Sequence, residues 1–208
     1  KHPEVLRQDF LEFEPEHSEY ITVSNPPFGR NNALSIPFFN RAADFSSHIA
    51  FLVPRSWRKW SVQNRLDLRF HLVHDQDVDL IYVDQDKMPL SKNNGLRTCF
   101  QIWEKREVLR EKTVVPDNQL VVKVSPEDAD VALRVFGYGC GTVIEGFDRK
   151  PNTTLMFLRL SEGITASLLR ELEFFRFTNN TAYTQALSFQ EINYLLNERI
   201  FGDGLAKR

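Results

Sequence analysis

The chain has 208 residues, with 26 Lys and Arg against 28 Asp and Glu, for a formal net charge of −2. That length suits one domain or one and a half, and it buries enough surface to fold without a disulfide or a metal. The charge balance excludes a uniformly basic nucleic-acid clamp, though not a local basic patch, and a hydrophobic content of 42% excludes a wholly disordered chain. No apolar run reaches the roughly 18 residues that a membrane span needs. The two cysteines, Cys99 and Cys140, cannot build a disulfide framework or a multi-cysteine zinc site. The composition is that of a soluble globular protein, and the expected location is cytoplasmic.

In chain order, residues 5–10 predict a short strand ending at an acid. Tyr20 to Ser24 is rich in β-formers and predicts a second strand. Asn25-Pro26-Pro27 closes it, because proline has no N–H for a ladder and restricts the residue before it. Residues 34–45 predict a helix with Pro37 near its first turn. Residues 47–53 predict a buried strand closed by Pro54. A helix over 60–70 and strands over 78–83 and 96–103 follow. Strands interleaved with helices indicate an α/β sheet. The charged stretch 105–117 ends in Val-Pro-Asp-Asn and places a boundary, giving parts 1–112 and 113–208. The second part predicts strands over 120–124, 131–136 and 155–160, which would continue the sheet, and helices over 166–175 and 188–199. Ser188 and Glu191 have capping-box spacing.

The residues that point to chemistry are Asn25, Pro26, Pro27, Phe28 and Gly29. They follow a predicted strand, and open α/β sheets place ligands at the carboxyl ends of their strands. The two prolines fix the direction of the Asn25 amide and the Pro26 carbonyl, and both can accept hydrogen bonds from an NH₂ group. Phe28 offers a flat face to a planar ring. Such a loop orients a weak amine nucleophile toward an electrophilic methyl group, where orientation is most of the catalysis.

At these residues the sequence resembles the S-adenosylmethionine-dependent amino-methyltransferases, above all the DNA adenine-N6 methyltransferases. The flanking elements are similar too. Residues 5–11 resemble the family strand whose acid meets the cofactor adenine, and residues 49–56 resemble the strand-proline element after the catalytic motif. Residues 136–141, with the strand at 155–158, resemble the family's later glycine turn and strand. The resemblance implies a Rossmann-like methyltransferase sheet, incomplete in its N-terminal half, with a small C-terminal α+β extension. It implies that Asn25 and the Pro26 carbonyl accept from the target amine, that Pro27 holds the loop, and that Phe28 stacks on a flipped base. Asp9 would contact the cofactor adenine and Phe10 would pack on its ring. S-adenosyl-L-methionine is the implied cofactor. DNA is the implied partner, in the setting of restriction and modification, with RNA or a protein glutamine as the alternative substrate. Phe rather than Tyr after Pro-Pro favours adenine.

The chain departs from the family in one respect. Only 24 residues precede Asn25, and no glycine-rich cofactor loop is among them. The expectation is a chain cut from a larger enzyme, with weak or no cofactor binding of its own. The competing explanations are a missing partner subunit, a remnant module without activity, or a permuted order. In the permuted order, Gly137 to Thr142 would be the cofactor loop and Glu162 the following acid.

The densest basic stretch, Arg55, Trp57, Arg58, Lys59 and Trp60, follows the Pro54 strand end and is the candidate nucleic-acid contact. Cations reach phosphates and the rings can stack on unpaired bases. An amphipathic helix with tryptophan packed inward explains the same residues equally well. The five histidines show no metal-ligand spacing, and no metal is expected. Asp75, Asp77, Asp79, Asp84 and Asp86 read as solvent-facing acids. Residues 178–184 read as a polar linker or a target-contact loop, and Asn93-Asn94-Gly95 as a tight turn.

Overall fold

The computed structural model describes residues 5–17, 19–80, 83, 86–88 and 95–207. The chain forms two compact units, Lys1–Thr113 and Val114–Arg208.

The first unit is a mixed sheet with helices. Its strands are β1 (Tyr20–Ser24), β2 (Ser46–Pro54), β3 (Phe70–Val78) and β4 (Thr98–Lys105), in the order β1-β2-β4-β3. β1 and β2 pair in parallel, while β4 runs antiparallel to both β2 and β3. The carboxyl ends of β1, β2 and β3 therefore share one edge of the sheet. Helix α1 (Ser35–Ala43) is the crossover between the parallel strands. Period-two alternation sends Ile49, Phe51 and Val53 of β2 to one face, and Cys99 and Trp103 pair with them from β4. These residues are buried, and Phe39 of α1 meets Phe51, Trp57, Phe70 and Trp103 edge-on, with ring centroids 5.5–5.9 Å apart.

Several expectations need correction. Residues 5–10 form no strand: Asp9 caps a 3-10 turn over Phe10–Glu12 by accepting from the Leu11 N–H at 2.9 Å. A short polar side chain that bonds its own backbone competes with a sheet ladder in this way. The helix expected over 60–70 is only the single turn α2 (Trp60–Gln63), because Phe70 already starts β3. The strand expected at 78–83 instead ends at Val78, and much of that range lies outside the described residues, as do Asn93 and Asn94.

The second unit does not continue the first sheet. It has its own antiparallel sheet of β5 (Val121–Lys123), β6 (Val131–Arg134), β7 (Val143–Ile144) and β8 (Leu155–Leu160), in the order β5-β8-β6-β7. Helices α3 (Ala166–Arg170), α4 (Phe175–Thr178) and α5 (Phe189–Phe201) accompany it. The single helix expected over 166–175 is thus two short ones. In α5, Ser188 and Glu191 form the capping box that their spacing predicts. Leu133, Leu158, Leu169, Ile192 and Leu196 fill this core.

Gly137 to Thr142 joins the antiparallel strands β6 and β7. A nucleotide loop links a parallel strand to a helix whose N-terminus faces the phosphate. The hairpin excludes the permuted cofactor loop.

Candidate functional site

Asn25 directly follows β1, at the edge where the parallel strands end. Its side chain is exposed, and its amide has no hydrogen-bond partner among the described residues. Pro26 is buried and anchors the loop, Pro27 is exposed, and Phe28 is half-buried. The Phe28 carbonyl accepts from the N–H groups of Leu34 and Ser35 at 3.3 and 3.5 Å, so the loop is closed onto the start of α1. The turn within it is strained. Gly29 has φ 66° with ψ 174°, a combination open almost only to glycine. A side chain there would begin 2.9 Å from Leu34 Cγ and 3.0 Å from Leu34 N. Asn31 and Asn32 follow with φ of 54° and 61°.

The turn after β2, a 3-10 turn over Arg55–Arg58, supports this loop from the neighbouring strand end. The Asn32 amide donates to Ser56 Oγ at 3.1 Å, and the Trp57 indole N–H donates to Ser35 Oγ at 3.2 Å. The supporting turn is itself clamped. Arg58 Nε donates to both carboxylate oxygens of Asp75 at 3.1 and 3.0 Å, and Arg58 pairs with Asp77 at 2.8 Å. Arg55 pairs with Asp77 at 3.0 Å and donates to the Thr98 carbonyl at 3.3 Å. Gln101, buried on β4, donates to Asp75 at 2.8 Å and accepts from the Trp103 indole at 3.2 Å. The hydrogen bonds to Asp75 hold the Arg58 guanidinium above its ordinary pKa.

These contacts revise the basic patch. Trp57 is wholly buried, so its ring cannot stack on a base. Arg55 and Arg58 are neutralised by Asp75, Asp77 and Asp79. Those acids are partners of the turn rather than merely solvent-facing groups. Lys59 and Trp60 are partly exposed and each has a further interaction. Sequence spacing held a signal for the clamp: acids at i and i+2 on a strand, here Asp75 and Asp77, lie on one face. The partner strand end that supplies the arginines was not visible without topology.

The two cofactor candidates are placed differently from each other. Asp9 is exposed and engaged with the Leu11 N–H. The Phe10 ring stacks on Phe38 at 5.2 Å and meets Phe45 edge-on at 6.0 Å, so its faces are largely committed to the protein. The loop from the parallel strand β1 to α1 carries the single glycine Gly29, and no glycine-rich loop of the Gly-x-Gly kind joins a parallel strand to a helix among the described residues, so these residues show no such cradle for the methionine part of S-adenosylmethionine. A cleft of about 1040 Å³ opens at the far end of α1, lined by Asn40, Arg41, Asp44, Asp67 and Arg69 among others. It excludes Asn25 and Phe28, and its cations are largely paired: Arg41 with Asp44 at 3.1 Å, Arg69 with Asp67 at 2.6 Å. Among the described residues no three His, Cys, Asp or Glu side chains gather to hold a metal. No described helix is long and apolar enough to cross a membrane.

No family model matches the chain, and no curated protein matches it. Among solved structures, one match is the crystal structure of a "putative RNA methyltransferase" from Pyrococcus horikoshii, with 20% sequence identity and a TM-score of 0.35. It covers 47% of this chain and 48% of that one, so this chain matches about half the length of that protein. Likeness of that degree assigns neither fold nor activity.

Proposed function

We propose that this chain carries the acceptor side of an S-adenosylmethionine-dependent methyltransferase site, and that the acceptor is the exocyclic N6 amine of adenine in DNA. One observation carries the reading: an exposed Asn25 amide with no hydrogen-bond partner among the described residues, directly past the end of a parallel strand, on a loop held by two prolines and the Phe28 carbonyl. The Pro26 carbonyl likewise meets no donor among the described residues. An NH₂ group has two hydrogens. Two fixed acceptors can take both and direct its lone pair outward, with no reorganisation needed during reaction. Phe28 supplies a plane for a base taken out of the stack.

The cofactor would supply the methyl group. The described residues do not enclose it, so the chain by itself is expected to bind S-adenosylmethionine weakly or not at all. Its remaining contacts would come from outside these residues. The same observation supports a second reading, a non-enzymatic module that keeps the acceptor loop alone.

Radiolabelled methyl transfer to DNA, RNA and protein, by the longest available form of the chain, tests the proposal. Label on adenine N6, lost on the order of a hundredfold in Asn25→Ala, is the expected result. Equal transfer by wild type and Asn25→Ala overturns the role of the loop. Label on RNA or on protein glutamine moves the acceptor to that class, and no transfer at all favours the non-enzymatic module.

A further inference from the structure

The second unit presents an aromatic surface that the acceptor loop does not use. Tyr138 is 100% exposed, at the tip of the turn between β6 and β7. The tip is rigid. Cys140 N–H donates to the Gly137 carbonyl at 3.1 Å, Thr142 N–H and Oγ1 donate to the Gly139 carbonyl at 3.1 and 2.7 Å, and Gly141 N–H donates to the Arg134 carbonyl at 2.8 Å. Gly137 and Gly139, on either side of the tyrosine, take φ of 89° and 77°. This turn spends its conformational freedom on holding a ring out in water.

A second loop is laced to the first. Phe136 pairs with Ala186, Gly137 N–H donates to the Gln185 carbonyl at 3.0 Å, and Leu187 N–H donates to the Val135 carbonyl at 2.9 Å. That loop carries Tyr183, which is about half exposed, as is Phe136. Its remaining polar groups are amides and hydroxyls, with Gln185 donating to Asn179 at 3.2 Å.

Charge selects the partner. No carboxylate lies between Arg134 and Glu145, or between Arg176 and Glu191. Arg159, Arg170, Arg176 and Arg199 pair with carboxylates, and Arg149 donates to three backbone carbonyls. Arg134 alone among the described arginines of this unit has no such partner. Its Cδ and Nε lie 3.5 and 3.8 Å from where a side chain on Gly139 would begin, so it runs along the turn that bears Tyr138. Exposed rings beside an uncommitted cation, on segments whose sequence holds no carboxylate, suit a ligand that is both planar and anionic. A surface made to dock a protein would add aliphatic side chains, and the exposed large apolar groups on these two loops are all aromatic.

We infer that the Tyr138 turn and the Tyr183 loop form a stacking platform for unpaired nucleobases, with Arg134 meeting the backbone phosphate. The platform goes beyond the methyl-transfer reading and does not depend on Asn25.

Fluorescence anisotropy with labelled twelve-nucleotide single strands of DNA and RNA, and with the matching duplexes, tests it on the full chain. Wild type should favour single strands. Tyr138→Ala and Tyr138→Leu should each weaken binding about tenfold, and Tyr138→Trp should retain it. Arg134→Gln should lower the salt slope by about one phosphate contact. The three Tyr138 variants should melt with the wild type, because Tyr138 stands fully in water. Unchanged affinity in Tyr138→Ala, full affinity in Tyr138→Leu, or no binding of any oligonucleotide by wild type overturns the platform. Methyl transfer that survives in Asn25→Ala strikes the acceptor loop alone, so the two readings fail separately.

Discussion

The indole N–H of Trp57 donates to the hydroxyl of Ser35 across 3.2 Å, inside a core that leaves the tryptophan no exposure. The turn after β2 is thereby fastened to the first turn of α1, which itself closes the Asn25 loop. A residue that looked like a base-stacking ring is the peg that seats the Asn25 loop. Trp57→Phe keeps a ring in place but leaves the buried Ser35 hydroxyl without its donor. The expected cost is about 2 kcal/mol in urea unfolding, from the lost bond and the smaller ring.

Asp75 gathers Arg58 and Gln101 in one place. The pair is about four-fifths buried, with side-chain exposures of 25% for Arg58 and 20% for Asp75. Removing the acid therefore leaves a guanidinium partly stripped of water with a weaker partner. Asp75→Ala is expected to lose about 2 kcal/mol, between the values for exposed and buried pairs. Arg58→Ala/Asp75→Ala should lose less than the sum of the single changes, and a double-mutant cycle in urea reads the difference.

Gly29→Ala meets two obstacles together. The backbone has φ 66°, and the new carbon would stand 3.0 Å from the Leu34 nitrogen. Backbone cannot swing aside as a side-chain tip can. The expected loss is about 2 kcal/mol in thermal or urea unfolding, and under the proposed function methyl transfer would fall further because the strain sits in the Asn25 loop itself.

The cysteines should separate cleanly. Burial pushes the Cys99 thiol up to about 12, so at pH 8 it stays protonated and inaccessible. Cys140, on the hairpin turn, is the more exposed of the two. Iodoacetamide on the native protein should add one label, mapped to Cys140 by mass spectrometry, and a second only after unfolding.

Much of the first unit was legible in the sequence where periodicity and proline agree. Tyr20 to Ser24 ends at Asn25-Pro26-Pro27 as expected, and Pro54 closes β2. The capping box at Ser188 was readable because it is a local rule with one spacing. The failures lie where a local pattern competes with pairing partners far along the chain. Residues 70–78 carry five polar residues among nine, and they form a strand because β4 supplies the ladder. Asp9 found its own backbone before any sheet could use it. Arg55 and Arg58 looked available because their acids sit some twenty residues later, on a strand that only topology brings near. The stretch around Tyr138 was legible only as a glycine turn or a permuted cofactor loop, since sequence cannot report that a ring stands fully in water.

The sheet of the first unit has two faces, and among the described residues helices clothe one of them. Opposite Ile49, Phe51 and Val53 run Ile21 and Val23, 68% and 70% exposed, with Leu52, Phe100 and Ile102 in partial contact with water across the neighbouring strands. An oily flank joined to a border strand that has a neighbour on just one side, among the described residues, invites sticking. Preparations of this polypeptide should thus clump as they are concentrated, and Ile21→Lys with Val23→Thr should keep them dispersed.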